Sequence, residues 1–62
     1  GLAQVGVTGA VAPGTDIMAG DKVVGTLYSQ AGGRGIAHLR FDRAQPEMQA
    51  GDARVTWDGG GN

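Results

Sequence analysis

TDIMAGDKVVGTLYSQAGGRGIAHLRFDR, residues Thr15 to Arg43, holds two alternating runs separated by a pair of glycines, and its reading decides the fold class. From Lys22 to Tyr28 the chain sets Val23, Gly25 and Leu27 against Val24, Thr26 and Tyr28, a period of two that suits a pleated strand. Ser29-Gln30-Ala31-Gly32-Gly33 supplies a turn, because glycine reaches positive φ without a Cβ penalty. The second run alternates again, with Ala37, Leu39 and Phe41 on one face and Ile36, His38 and Arg40 on the other. This predicts a hairpin with one apolar side.

Outward from that hairpin the same grammar repeats. Ala3, Val5 and Val7 alternate with Gln4, Gly6 and Thr8, which predicts a first strand ended by Pro13-Gly14. Thr15 to Met18 reads as a short extended link, and Glu47 to Ala50, after the break at Gln45-Pro46, as a loop or one helical turn. A last strand sets Ala53, Val55 and Trp57 against Arg54 and Thr56. Ala-Gly-Asp occurs at Ala19 and again at Ala50, each time ahead of an alternating run, which reads as one turn solution used twice rather than as a solenoid repeat.

Short connections force antiparallel pairing, since parallel strands need crossovers of a dozen or more residues. About five or six short strands then close into a small antiparallel β-barrel more readily than they form an open sheet with exposed edges. The fold class expected is therefore all-β, as a single domain over residues 1–62. Its expected core is Val5, Val7, Val23, Leu27, Ala37, Leu39, Phe41, Val55 and Trp57, with Tyr28 completing an aromatic trio. On that reading, truncating Phe41 or Trp57 to Ala would cost about 3–5 kcal/mol.

Composition narrows function mostly by exclusion. A net charge of −1 lacks the basic footprint that holds phosphate backbones, so nucleic acid is not expected as a partner. No apolar run approaches the ~20 residues of a bilayer-crossing helix, and no membrane partner is expected. With no Cys and one His there is neither a disulfide nor a zinc ligand set; the lack of Cys suits a reducing cytoplasm. His38 lies opposite Ala37 and Leu39 with no second ligand at useful spacing, and reads as a solvated strand residue. Ser29 is in no Gly-x-Ser-x-Gly elbow. Gly32-Gly33-Arg34-Gly35 reads as a hairpin tip before it reads as an anion nest, since no helix follows to add its field. Arg40 and Arg43 flank Asp42 as a surface ion cluster. Lys22 opens a strand after Ala-Gly-Asp, unlike the modified lysine inside the hairpin turn of a carrier domain. No catalytic, cofactor-binding or metal-ligating residue is assigned, and the chain itself is expected not to be an enzyme.

Several of these residues also resemble a family pattern. Ile17, Gly20, Lys22 and Val24-Gly25 followed by Ser29, then Gly35-Ile36-Ala37-His38-Leu39-Arg40 with Asp42-Arg43-Ala44, and finally Ala50-Gly51-Asp52 with Val55 are similar to the C-terminal barrel of YgfZ-type folate-binding proteins. That barrel is related to the one in the aminomethyltransferase, or T-protein, of the glycine cleavage system. The resemblance covers roughly positions 5 to 57, and it implies a β-barrel that packs against an N-terminal folate-binding domain. For a parent protein it implies tetrahydrofolate as cofactor and a role in maintaining iron–sulfur cluster proteins; this chain is expected to hold no cofactor. The Lys-Gly-Cys-containing octapeptide of the folate-binding part is absent, and the chain runs from Gly1 to Gly59-Gly60-Gly61-Asn62. A C-terminal piece of a larger cytoplasmic protein is expected, with an independent protein-interaction module as the competing reading.

Overall fold

Six strands form in the computed structural model, which describes residues 1–59; the Gly60-Gly61-Asn62 end lies outside the described residues. They are β1 (Leu2–Thr8), β2 (Asp16–Ala19), β3 (Lys22–Ala31), β4 (Arg34–Leu39), β5 (Glu47–Ala50) and β6 (Ala53–Thr56). Every pairing is antiparallel, and the order β1-β4-β3-β2-β5-β6 closes on itself as a barrel. Among the described residues there is no helix. Closure gives each strand a partner on both sides and so leaves no edge for another chain to extend.

Three hairpin turns of two residues each set the registers. Gly32 and Gly33 both have positive φ, 60° and 78°, and lie between the paired Ala31 and Arg34, as a type I′ turn requires. This turn is tighter than the five-residue Ser29–Gly33 turn expected from sequence, because Ser29, Gln30 and Ala31 stay in the ladder of β3. The two Ala-Gly-Asp copies behave alike. Gly20 at φ 65° and Gly51 at φ 59° are each followed by an Asp of negative φ and enclosed by paired residues, Ala19 with Lys22 and Ala50 with Ala53. Positive φ at the first central position alone is the type II′ pattern.

A two-residue hairpin needs a strand on each side, which corrects two sequence expectations. Asp16–Ala19 is strand β2 rather than a link, and Glu47–Ala50 is strand β5 rather than a loop or helical turn. Their inward residues Ile17, Met48 and Ala50 join the core. Four residues are too few for alternation to stand out, and these strands exist because β3 and β6 supply their ladders.

The interior is apolar throughout: Ala3, Val5, Val7, Ile17, Val24, Leu27, Ala37, Leu39, Met48, Ala50, Ala53 and Val55, with no buried polar or charged residue among those described. Val23 was expected here, yet it is 50% exposed while Val24 is 1% exposed. The register explains the exchange. Ile17 and Met18 face Gly25 and Val23, so Val24 is the extra residue of a β-bulge and turns inward beside Gly25. A second bulge follows, where Ala37 and Ile36 face Leu27 and Ser29 and leave Tyr28 as the extra residue. Tyr28 is consequently 51% exposed and not a core aromatic.

Phe41 also leaves the expected core. Strand β4 ends at Leu39, Phe41 sits in the turn that follows, and its side chain is 41% exposed. Trp57 lies just past β6 and packs half-buried against the core's rim. The two rings stack on each other with centroids 5.3 Å apart and planes 9° from parallel.

Gln30 is tied into the structure by its side chain. Its Oε1 accepts from the Val11 N–H at 3.1 Å and its Nε2 donates to the Gly9 carbonyl at 2.5 Å, which fastens the β1–β2 connection to β3. Its ladder partner on β4 is Gly35.

Candidate functional site

The polar residues with chemical potential are dispersed. His38 points outward on β4, opposite Leu2 of β1 and Thr26 of β3. Ser29 is exposed on β3, directly opposite Ile36 of β4. Arg34 opens β4 directly after the Gly32-Gly33 turn and is exposed. Arg40 Nε and Arg43 Nε lie 4.0 and 3.9 Å from the Asp42 carboxylate, with all three side chains more than half exposed, so the cluster is solvent-screened. Lys22 begins β3 at the end of the Gly20-Asp21 turn and lines a shallow depression with Arg43 and Gln45. Among the described residues, no three His, Cys, Asp or Glu side chains converge as a metal-binding group.

What the fold does assemble is a surface. Ile36 on β4 faces Gln4 on β1, and Leu2 faces His38, so Leu2 and Ile36 are diagonal neighbours on the outside of the barrel. The bulge leaves Tyr28 exposed beside Ser29, the β3 partner of Ile36. Leu2 in turn lines an open trough with Gln4, Gly6, Arg34, Thr56 and Trp57. The floor dips at Gly6, where a Cβ would come within 2.5 Å of the Thr56 hydroxyl oxygen. Phe41 stacks on Trp57 and also covers Gly1, whose Cβ, if it had one, would lie 2.7 Å from the phenyl ring.

The chain start is built into this region. The Gly1 amine donates to the Leu39 carbonyl at 2.8 Å, and the Leu39 N–H donates to the Gly1 carbonyl at 2.8 Å, extending the β1–β4 ladder by one pair. The Trp57 backbone N–H donates to the Pro46 carbonyl at 3.0 Å and anchors the tryptophan beyond β6. Its indole Nε1 is shut off from solvent with no hydrogen-bond partner, a donor left unmet at a cost of about 1–3 kcal/mol.

Sequence reasoning missed this surface because it placed Tyr28 and Phe41 inside. A signal existed for Phe41, since Asp42-Arg43 follows it at once and a strand cannot keep pairing through that turn.

A family model described as the CAF17 C-terminal beta-barrel domain matches residues 1–59. No curated protein and no solved structure matches the chain.

Proposed function

Because the chain belongs to the family of CAF17 C-terminal β-barrel domains, the YgfZ/CAF17 type, we propose that it is an accessory barrel that packs against a folate-binding domain and performs no chemistry itself. One observation carries this reading. The barrel's interior is filled by its own side chains, with Ile17, Leu27, Leu39, Val24 and Val55 all under 2% exposed, so any role must be exercised from the outer surface. Of that surface, the part built from Leu2, Tyr28, Ile36 and Phe41 is apolar and suited to another protein surface rather than to a small polar substrate.

In the proposed setting the parent is a cytoplasmic, tetrahydrofolate-dependent protein that maintains iron–sulfur enzymes. The folate is held by the preceding domain, and the barrel supplies a rigid wall. Calorimetric titration of the barrel with tetrahydrofolate tests this division of labour. The expected outcome is no measurable heat. Binding at micromolar affinity or better, about −8 kcal/mol, would place a folate site on the barrel and overturn the proposal.

A further inference from the structure

On β1 the side chains of Ala3, Val5 and Val7 are buried, so Leu2, Gln4, Gly6 and Thr8 face outward. Gly6 pairs with Arg34 of β4 on one side and with Thr56 of β6 on the other, and no register shift interrupts either ladder. Residues directly opposite one another project from the same face of a sheet, so Arg34, Gly6 and Thr56 form one outward row across three strands. The middle member has no side chain. Neighbouring strands lie ~4.8 Å apart, which leaves a slot roughly 10 Å wide at its base between a guanidinium arm and a hydroxyl. Gly6 does not have positive φ, so its backbone does not call for glycine; what glycine provides here is the floor of the slot. A Cβ at Gly6 would lie 2.5 Å from Thr56 Oγ1, which places that hydroxyl over the floor. Gln4 stands two residues back on the same face and lines the same trough. Among the described residues the Arg34 guanidinium, the Gln4 amide and the Thr56 hydroxyl have no hydrogen-bond or ion-pair partner. Three groups able to donate hydrogen bonds therefore border one glycine floor.

We propose that the slot over Gly6 binds a carboxylate, with Arg34 donating the paired N–H bonds of its planar fork while the Thr56 hydroxyl and the Gln4 amide donate to the remaining lone pairs. A guanidinium matches a carboxylate two bonds to two, which an ammonium does not. Charge-assisted bonds of about 2.7–2.9 Å on the Arg34 side, with the Thr56 hydroxyl facing them, take up the width of the slot. The surroundings narrow the ligand class. Exposed Glu47 is the partner of Thr56 on its far side, and Asp58 lines the same trough. A polyanion, or a ligand with a second acid group close by, is repelled by these carboxylates, whereas a single carboxylate sits against Arg34. Leu2 and the half-buried Trp57 complete the trough and offer an apolar stretch to whatever carries the acid group. Such a group comes either from the apolar C-terminal residue of a peptide chain or from a small organic acid. The inference stands apart from the accessory-barrel reading, since it needs no second domain.

The test titrates the isotope-labelled barrel with N-acetyl-L-leucine, its amide N-acetyl-L-leucinamide, acetate and inorganic phosphate, following the backbone amides and the Arg34 Nε signal. The expected result is saturable shifts at Gln4, Gly6, Arg34 and Thr56 with N-acetyl-L-leucine and none with its amide, while Met18 and Gln49 stay unchanged. Arg34→Gln should weaken the binding about tenfold or more, and Thr56→Val several-fold; both positions are exposed, so the barrel keeps its fold. Acetate binding as well as N-acetyl-L-leucine would support the slot with small organic acids as its ligands, and acetate failing where N-acetyl-L-leucine binds would support it with chain ends. Absence of saturable shifts with every carboxylate, equal shifts with the amide, tighter binding of phosphate, or an Arg34→Gln titration that superimposes on the parent's would each overturn the proposal.

Discussion

Gly25 and Gly35 show why single residues in this chain resist substitution for different reasons. Neither has positive φ, so backbone freedom is not what they provide. A Cβ on Gly25 would fall on the His38 carbonyl oxygen, with Leu39 Cδ2 at 2.9 Å, and one on Gly35 would lie 2.7 Å from the Ser29 carbonyl oxygen. Backbone oxygens in a ladder cannot move aside cheaply, so Gly25→Ala and Gly35→Ala should each lose about 1–3 kcal/mol by overpacking. Gly20 differs, since nothing lies within 4 Å of its missing Cβ and only its φ of 65° opposes a side chain. Gly20→Ala should therefore keep the barrel's packing, losing about 1–3 kcal/mol to backbone strain alone. Urea denaturation of all three, with amide spectra of the folded forms, separates the two causes: rearranged shifts along β3 and β4 are expected only for Gly25→Ala and Gly35→Ala. The valine pair offers a sharper residue-level test. Val24→Ala should cost about 1–3 kcal/mol for its buried methyls, and Val23→Ala less than about 0.5 kcal/mol. Equal losses in denaturant midpoint would show that the bulge opposite Ile17 is misplaced.

Among the elements, β3 organises the barrel, because at ten residues it is the longest strand and carries both bulges. Bulges bend a strand and increase its twist, which a six-stranded sheet needs in order to close within a radius of gyration of 9.7 Å. They also break the period of two. Alternation read along β1, β4 and β6 therefore agrees with the observed burial, whereas along β3 it fails at Val23 and Val24. The turn after β4 is the second place where local pattern misleads. Phe41 continues the register of Ala37 and Leu39 on paper, but β4 ends at Leu39 and the ring is delivered to Trp57 instead. A stacked aromatic pair contributes about 0.5–1.5 kcal/mol beyond its buried area, and Phe41 lies outside the sealed core. Phe41→Ala should consequently stay folded at room temperature, with a dispersed amide spectrum and altered Trp57 fluorescence. Collapse of that variant would restore Phe41 to the core.

At the scale of the whole molecule, 62 residues allow little reserve. A single core of this size rarely supplies more than ~3–5 kcal/mol, and with no cysteine in the chain no disulfide can add to it. Leu39 is fully buried, and Leu→Ala in a core costs about 2–5 kcal/mol. Leu39→Ala should therefore be largely unfolded in circular dichroism at 25 °C, in contrast to the outward His38→Ala. A Leu39→Ala protein that melts within a few degrees of the parent would mean that the interior refills easily. The all-β class, the antiparallel hairpins, both Ala-Gly-Asp turns and the family resemblance were open to reading from the chain alone. Each depends on neighbours in sequence: a side-chain period of two, a connection too short for a crossover, a glycine that permits positive φ. The inward turn of Val24, the exposure of Tyr28 and Phe41, the existence of β2 and β5, and the apolar outer face were decided only in the tertiary structure. Those features depend on how many residues oppose one another across a ladder and on what lies across a closed barrel, and partners distant in sequence leave no periodic trace in the segment they reshape.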